Sequence, residues 1–118
     1  MQYDSKAPIY LQVVNAIKAD IVNGTLKCGD KLPSGRDLAM QYTINPNTSA
    51  RVYQELEAQG ACFTKRGMGT YVTEDTEMIK KFKEEMAEEA LSVFLRSMKE
   101  LGITTDESIE MVRSHPKI

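Results

Sequence analysis

The sequence predicts an α+β protein: a small helical domain closed by a β-hairpin, followed by a two-helix C-terminal arm. Three observations lead there. Residues 8–60 hold three stretches with apolar residues at three- and four-residue steps, each bounded by Pro, Gly or capping signals. Two short β-prone runs, Ala61–Lys65 and Thr70–Thr73, flank the glycine-rich Arg66-Gly67-Met68-Gly69. After Glu74-Asp75 the composition shifts to a charged, Met-rich segment with helical periodicity. The expected division is therefore residues 1–75 as one domain and 76–118 as a helical appendage.

The first helix is expected from Pro8 to about Asn23, opened by Pro8 and stopped by Gly24. Ile9, Val13, Ala16, Ile17, Asp20 and Ile21 form its stripe, widened by Val14 and Val22, with Asp20 the one polar interruption. Gly29-Asp30 is a turn signal, and Lys31-Leu32 a short strand candidate. Ser34 is placed to cap a second helix with Asp37 at its third position, and Leu38, Ala39 and Tyr42 face inward. A third helix is announced by Asn45-Pro46: Asn45 caps, and Pro46 falls where a missing N–H costs nothing. Ser49, Val52, Tyr53 and Leu56 recur as its buried stripe, and Gly60 supplies its left-handed stop.

Arg66–Gly69 then turns the hairpin. Thr76 is expected to cap a long helix reaching about Leu101, with Gly102 as its end. Ile79, Phe82, Met86, Ala90, Val93, Phe94, Met98 and Leu101 line one face of it. A shorter helix follows from about Asp106 to Ser114, capped by Thr105 or Asp106, with Ile109, Met111 and Val112 apolar. Two helices of this size cannot form a core alone, so their stripe must meet the first domain or a second copy of the chain. Ile79, Phe82, Met86, Val93, Phe94, Met98 and Leu101 are the expected dimer contacts. The bland alternative is that the helices fold back over their own domain.

The third helix carries the functional expectation. Asn47, Thr48 and Arg51 lie opposite its buried stripe, with Ala50 small enough not to block their approach to a surface. Amides, a hydroxyl and a guanidinium on one exposed turn suit base edges and phosphates in a major groove. The start of the second helix agrees. Gly35 and Arg36 are poor choices there for an isolated helix, because glycine weakens it and a cation opposes the macrodipole. Both fit a phosphate held by free N–H groups of Ser34 and Gly35 and by Arg36. In the hairpin, Lys65 and Arg66 would reach phosphates or the minor groove while Gly67 lets the backbone approach. The bland readings are a solvated helix start and a surface hairpin whose glycines only turn the chain.

LPSGRDLA, INPNTSARVYQELEAQG and TKRGMGTYV, in that order, resemble the winged helix-turn-helix of the GntR family of bacterial transcription regulators, and the short remainder resembles its small YtrA-type subfamily. The resemblance runs from about Pro8 to Val72. It implies a DNA-binding domain with contacts from Arg36, from Asn47, Thr48 and Arg51, and from a wing tip at Arg66-Gly67; Asn45 joins this set at the head of the third helix. It also implies dimerisation through the arm. The chain departs from the usual pattern at Gly35, where a longer residue is common, and at Thr43, where the turn often has Gly. Ser49 stands where an apolar residue is usual, and Ala50 where some members carry a DNA-contacting Arg. These changes bear on sequence preference more than on fold.

Composition sets the remaining limits. The chain has 118 residues and 42% apolar content, one small globular unit plus an appendage. No apolar run reaches the length of a membrane span and the N-terminus lacks a signal peptide's apolar stretch, so a cytoplasmic protein is expected. Cys28 and Cys62 lack metal-ligand spacing and read as free thiols, Cys62 packed behind the wing. Net charge is −2, and residues 1–75 hold eight basic and eight acidic side chains, so placement rather than total charge must serve DNA. Lys31, Arg36, Arg51, Lys65 and Arg66 all fall in the segments expected to face it.

His115 is the only histidine, which excludes a histidine-based triad or metal cluster. Gly67-Met68-Gly69 lies between strands with no following helix, so it is no phosphate loop. No cofactor is implied. The expected function is a homodimeric transcription regulator, a repressor, on double-stranded DNA with a palindromic operator. The alternative is a winged-helix module that binds protein instead. An enzyme fragment is disfavoured, because too few residues follow the wing for the aminotransferase-like domain fused in some relatives.

Overall fold

Each expected helix forms, and local chemistry sets its ends. The computed structural model describes residues 1–117. They run α1 (Ile9–Val22), α2 (Gly35–Tyr42), α3 (Pro46–Ala58), β1 (Cys62–Lys65), β2 (Gly69–Val72), α4 (Thr76–Glu100) and α5 (Thr105–Ser114). Pro8 sits at the N-cap of α1, and its carbonyl accepts from Leu11 N–H at 3.1 Å. Val13, Val14, Ile17 and Ile21 are buried, whereas Ile9, expected in the same stripe, is 45% exposed at the helix start.

The Ser34 hydroxyl oxygen accepts the Asp37 N–H at 3.1 Å and opens α2. That helix closes on Thr43, which is left-handed at φ 55°, while Ile44 N–H reaches back to the Ala39 carbonyl at 2.9 Å. In α3, Asn45 Oδ1 accepts the Asn47 N–H at 2.7 Å and Pro46 takes the first helical position. Gly60, at φ 81°, lets Ala61 N–H close on the Leu56 carbonyl at 2.9 Å.

The hairpin is antiparallel, with Cys62 opposite Val72 and Lys65 opposite Gly69. Lys31-Leu32 contributes a single bridge rather than a full strand: Lys31 pairs with Tyr71, and Leu32 N–H donates to the Thr70 carbonyl at 2.8 Å.

α3 is central, packing on α1, α2 and β1. Val52 and Leu56 meet Val13, Val14 and Ile17 of α1, Leu38 of α2, and Ala61, Cys62 and Val72 of the hairpin in one buried cluster. Each large side chain so buried contributes about 1.5–3 kcal/mol of transfer free energy. Burial also pushes the Cys62 thiol up to about 12, helped by the Glu57 carboxylate, so it stays protonated. Cys28 is exposed, and both thiols are free as expected.

Two expectations for the arm are corrected. Phe82 is 5% exposed and belongs to the same core, so it is not available as a dimer contact, and Ile79 is half-buried against that core. Lys18 explains part of this: its ammonium lies 4.5 Å from the Phe82 ring centroid and donates to Gln59 Oε1 at 2.8 Å. The first compact unit accordingly runs Met1–Lys83, and the division falls inside α4 rather than at 75/76. The caps also shift by one residue. Asp75 Oδ1, not Thr76, accepts the Glu77 and Met78 N–H groups at the start of α4. Thr104, not Thr105 or Asp106, caps α5 in a reciprocal box with Glu107.

The second unit, from Glu84 on, contains the rest of α4 and all of α5. Its buried anchor is Ser108, whose hydroxyl donates to the Thr104 carbonyl at 2.9 Å. Leu91, Val93, Phe94, Leu101, Ile109, Met111 and Val112 are exposed. Among the described residues no helix is long and apolar enough to cross a membrane.

Thr43 is the one non-glycine at positive φ among the described residues, a conformation unfavourable for a β-branched side chain. Thr43→Gly relieves that strain but adds unfolded-state entropy, for a net stabilisation of about 0.5–1 kcal/mol. A rise in the urea midpoint at unchanged slope is the expected outcome.

Candidate nucleic-acid interface

The two faces of α3 are chemically distinct. Ser49, Val52 and Leu56 are buried; Asn47, Ala50 and Arg51 are exposed, and Thr48 is half-buried at the margin. The expected recognition residues thus lie on the outer side of the helix. Asn45 is partly committed elsewhere: its amide oxygen holds the Asn47 N–H, which leaves its NH₂ as the available donor.

Ser49 explains itself once α2 is in place. Its hydroxyl lies 2.7 Å from the Gly35 carbonyl and 2.9 Å from the Pro46 carbonyl, a single donor shared between two helix starts. An apolar residue would fill the same space without that tie. The Tyr53 hydroxyl adds a second one, donating to the Pro33 carbonyl just before α2. Burial raises the Tyr53 pKa strongly, so the hydroxyl remains a donor. The start of α2 is therefore bonded to α3 at two points.

Beside this start, Arg36 is exposed. Packing does not demand glycine at position 35: an added Cβ would meet only Ser49 Oγ, at an ordinary 3.6 Å. Ser34 keeps its hydroxyl proton while its oxygen caps the helix.

The hairpin turn places Lys65, Arg66 and Gly67 in the open. Gly67 is left-handed at φ 77°, and an added Cβ there would meet nothing within 4 Å. Gly69 is required by its backbone, since φ 121° is a conformation that side chains rarely adopt; Lys31 Cε lies 2.9 Å from where a Cβ would stand. Lys31 therefore lies along the base of the wing. Lys65 is held over the Tyr71 ring at 4.7 Å and the Phe63 ring at 5.8 Å, the two rings being stacked 5.9 Å apart.

The sequence reading missed three residues of this surface: Phe63, Tyr71 and Tyr10. The first two were accessible, since Phe63 and Lys65 alternate onto one strand face and Tyr71 pairs across from Phe63. Tyr10 had no local signal. Its ring lies 3.8 Å from the Arg51 guanidinium carbon, a contact between α1 and α3. No cluster of metal-ligating side chains forms among the described residues.

Three helices with the second and third joined by a tight turn, closed by a basic two-stranded wing, make a winged helix-turn-helix, the architecture of a DNA-binding regulator. The model of the bacterial regulatory proteins of the gntR family matches residues 9–72, and the chain belongs to that family. It is a transcriptional regulator with a DNA-binding helix-turn-helix. It is 42% identical over 113 residues to YhcF, an uncharacterized HTH-type transcriptional regulator of Bacillus subtilis, covering 96% of this chain and 93% of the relative. It is 36% identical over 112 residues to the HTH-type transcriptional repressor YtrA of the same organism, covering 94% and 82%. A GntR family transcriptional regulator from Listeria monocytogenes has the same fold with a TM-score of 0.88 at 38% identity, over 97% of this chain and 100% of that one. The DNA-binding domain of AraR, solved in complex with operator ORR3, matches 62% of this chain and 88% of its own, with a TM-score of 0.55 at 26% identity. The resemblance to YtrA-type members is thereby borne out.

Ser49→Ala removes the shared hydroxyl while keeping the helix. It is expected to destabilise the first unit by about 1 kcal/mol. Urea unfolding of the variant checks this, and an unchanged midpoint would mean the tie carries no net stability.

Proposed function

We propose that this regulator is a homodimeric repressor that binds a two-fold symmetric operator, reading bases with Asn47, Thr48 and Arg51. Phosphates are held by the amides at Ser34 and Gly35, by Arg36, and by Lys65, Arg66 and Gly67 of the wing, with the Asn45 NH₂ at the edge of the same surface. One observation carries the reading: the polar face of α3 is turned outward while its apolar face holds the core together. The glycine at position 35, which packing does not demand, is consistent with it, because it would let a phosphate approach the backbone closely.

Repression is the role named for the relative YtrA, and operator DNA is the ligand named for the AraR domain. The dimer rests on the arm. Met86, Val93, Phe94, Met98 and Leu101 remain from the expected contact set, and between α4 and α5 lies an apolar groove of about 660 Å³ lined by Phe94, Met98, Met111 and Val112. A monomer that left these side chains in water would forgo their transfer free energy, whereas a two-fold contact buries them twice. A dimer also presents two recognition helices to successive half-sites.

Duplexes selected from a randomised pool by the wild-type chain provide the probe. Arg51→Ala is expected to lose about 1–3 kcal/mol on the selected duplex and little on random DNA. Arg66→Ala should weaken both alike and reduce the salt slope by about 1. Equal affinity of wild type and Arg51→Ala for both duplexes would remove the base-reading role of α3, and failure to bind any duplex would favour the protein-binding alternative.

Light scattering is expected to give twice the 13.3 kDa chain mass. Phe94→Asp with Leu101→Asp should return it to the single-chain value with helical content retained. A wild-type monomer at micromolar concentration would exclude the dimer.

A further inference from the structure

We propose that Tyr10, outside the helix-turn-helix, is a positioning residue for DNA recognition: its ring holds the Arg51 guanidinium in the orientation that meets the duplex. The inference rests on the proposed reading of Arg51 and extends it to a residue of α1.

The geometry separates the two ways a guanidinium can bind. The Arg51 guanidinium carbon lies 3.8 Å from the Tyr10 ring centroid, close enough for the planar cation to use its face. Its N–H donors point outward along the rim of that plane and remain available for hydrogen bonds. No hydrogen bond or ion pair to another described residue engages them, and the side chain is exposed. A long side chain on open water samples many rotamers, and restricting it beforehand removes part of the entropy lost on binding. A lysine in this place would keep the charge but not the flat, forked donor set.

Tyr10 is itself well held. It packs against the core cluster from the first turn of α1. The loop before it is pinned by Gln12, whose amide NH₂ donates to the Asp4 and Ala7 carbonyls at 2.9 Å each. The same amide's oxygen accepts the Asp4 N–H at 3.1 Å. Further back, the Tyr3 hydroxyl donates to the Tyr42 carbonyl at 2.6 Å, tying the N-terminal segment to the end of α2. The ring is thus a fixed platform beside the recognition helix. An aliphatic residue would satisfy the packing of this position, but it would not orient a cation.

The test is a double-mutant cycle between Tyr10→Leu and Arg51→Ala, read as Kd on a selected duplex and on a random one. Tyr10→Leu is expected to weaken the selected duplex about two- to fivefold, the scale of an exposed cation–π contact, and to leave the random duplex nearly unchanged. Tyr10→Phe should stay within about twofold of wild type, since the ring face is retained. In the Arg51→Ala background, Tyr10→Leu should have no further effect on DNA.

Multiplicative losses in the double variant, or equal losses from Tyr10→Phe and Tyr10→Leu, would overturn the proposal while leaving Arg51 as a reader. If Arg51→Ala alone changes neither duplex, both readings fall together. Replacing Tyr10 by pentafluorophenylalanine keeps the shape and reverses the ring's quadrupole, which covers the case in which Tyr10→Leu does not fold. It must lose affinity for the selected duplex at an unchanged melting temperature, and full retention would likewise overturn the proposal.

Discussion

A hydroxyl shared between two carbonyls fixes the geometry on which this protein depends. Ser49 projects from the buried side of α3 and bonds across to the first turn of α2. The two helix starts, which carry the outward-facing polar groups, are thereby held at one separation. Tyr53 repeats the tie one turn later, through the Pro33 carbonyl. Each tie contributes only about 1 kcal/mol net, since it replaces a bond to water. Their value lies in direction: apolar packing tolerates sliding, whereas a short hydrogen bond does not. The left-handed Thr43 between the helices belongs to the same constraint, because the surrounding contacts hold a strained residue where glycine would be relaxed.

Electrostatics enter through placement. A formally neutral domain cannot draw a polyanion by its net charge. Here each cation proposed to face DNA is placed by its own local cause. Arg36 stands at the N-terminus of α2, Arg51 lies on the Tyr10 ring, Lys65 on the Phe63–Tyr71 pair, and Lys31 crosses Gly69. Lys18 shows the contrary case. It is engaged inside the fold by Phe82 and Gln59, and so serves the core rather than the surface.

The engagement of Lys18 and Phe82 also changes the meaning of the arm. The root of α4 is part of the core of the first unit, where Phe82 joins the buried cluster and lies under the Lys18 ammonium of α1. Within the arm, the exposed large apolar side chains all lie from Glu84 on. The burial of Phe82 follows from its size: one aromatic ring over the end of α1 removes more apolar area from water than it could in an open helical stripe.

Helix periodicity, capping chemistry and turn glycines are local properties, and they determined the element order, the recognition helix and the wing from the residues alone. Asn45-Pro46 marks a helix start wherever it occurs with a stripe behind it, and Gly60 marks an end for the same short-range reason. Local information failed where two segments compete for one role. Asp75 outbid Thr76, and Thr104 outbid Thr105 and Asp106, because neighbouring caps differ by small energies that the actual backbone path decides. Tertiary structure alone assigned Phe82 to the core, gave Ser49 its partner, and brought Tyr10 to Arg51 from a helix 41 positions earlier in the chain. Those contacts arise from chain closure over long sequence separations, and no periodicity within a segment encodes what will be packed against it.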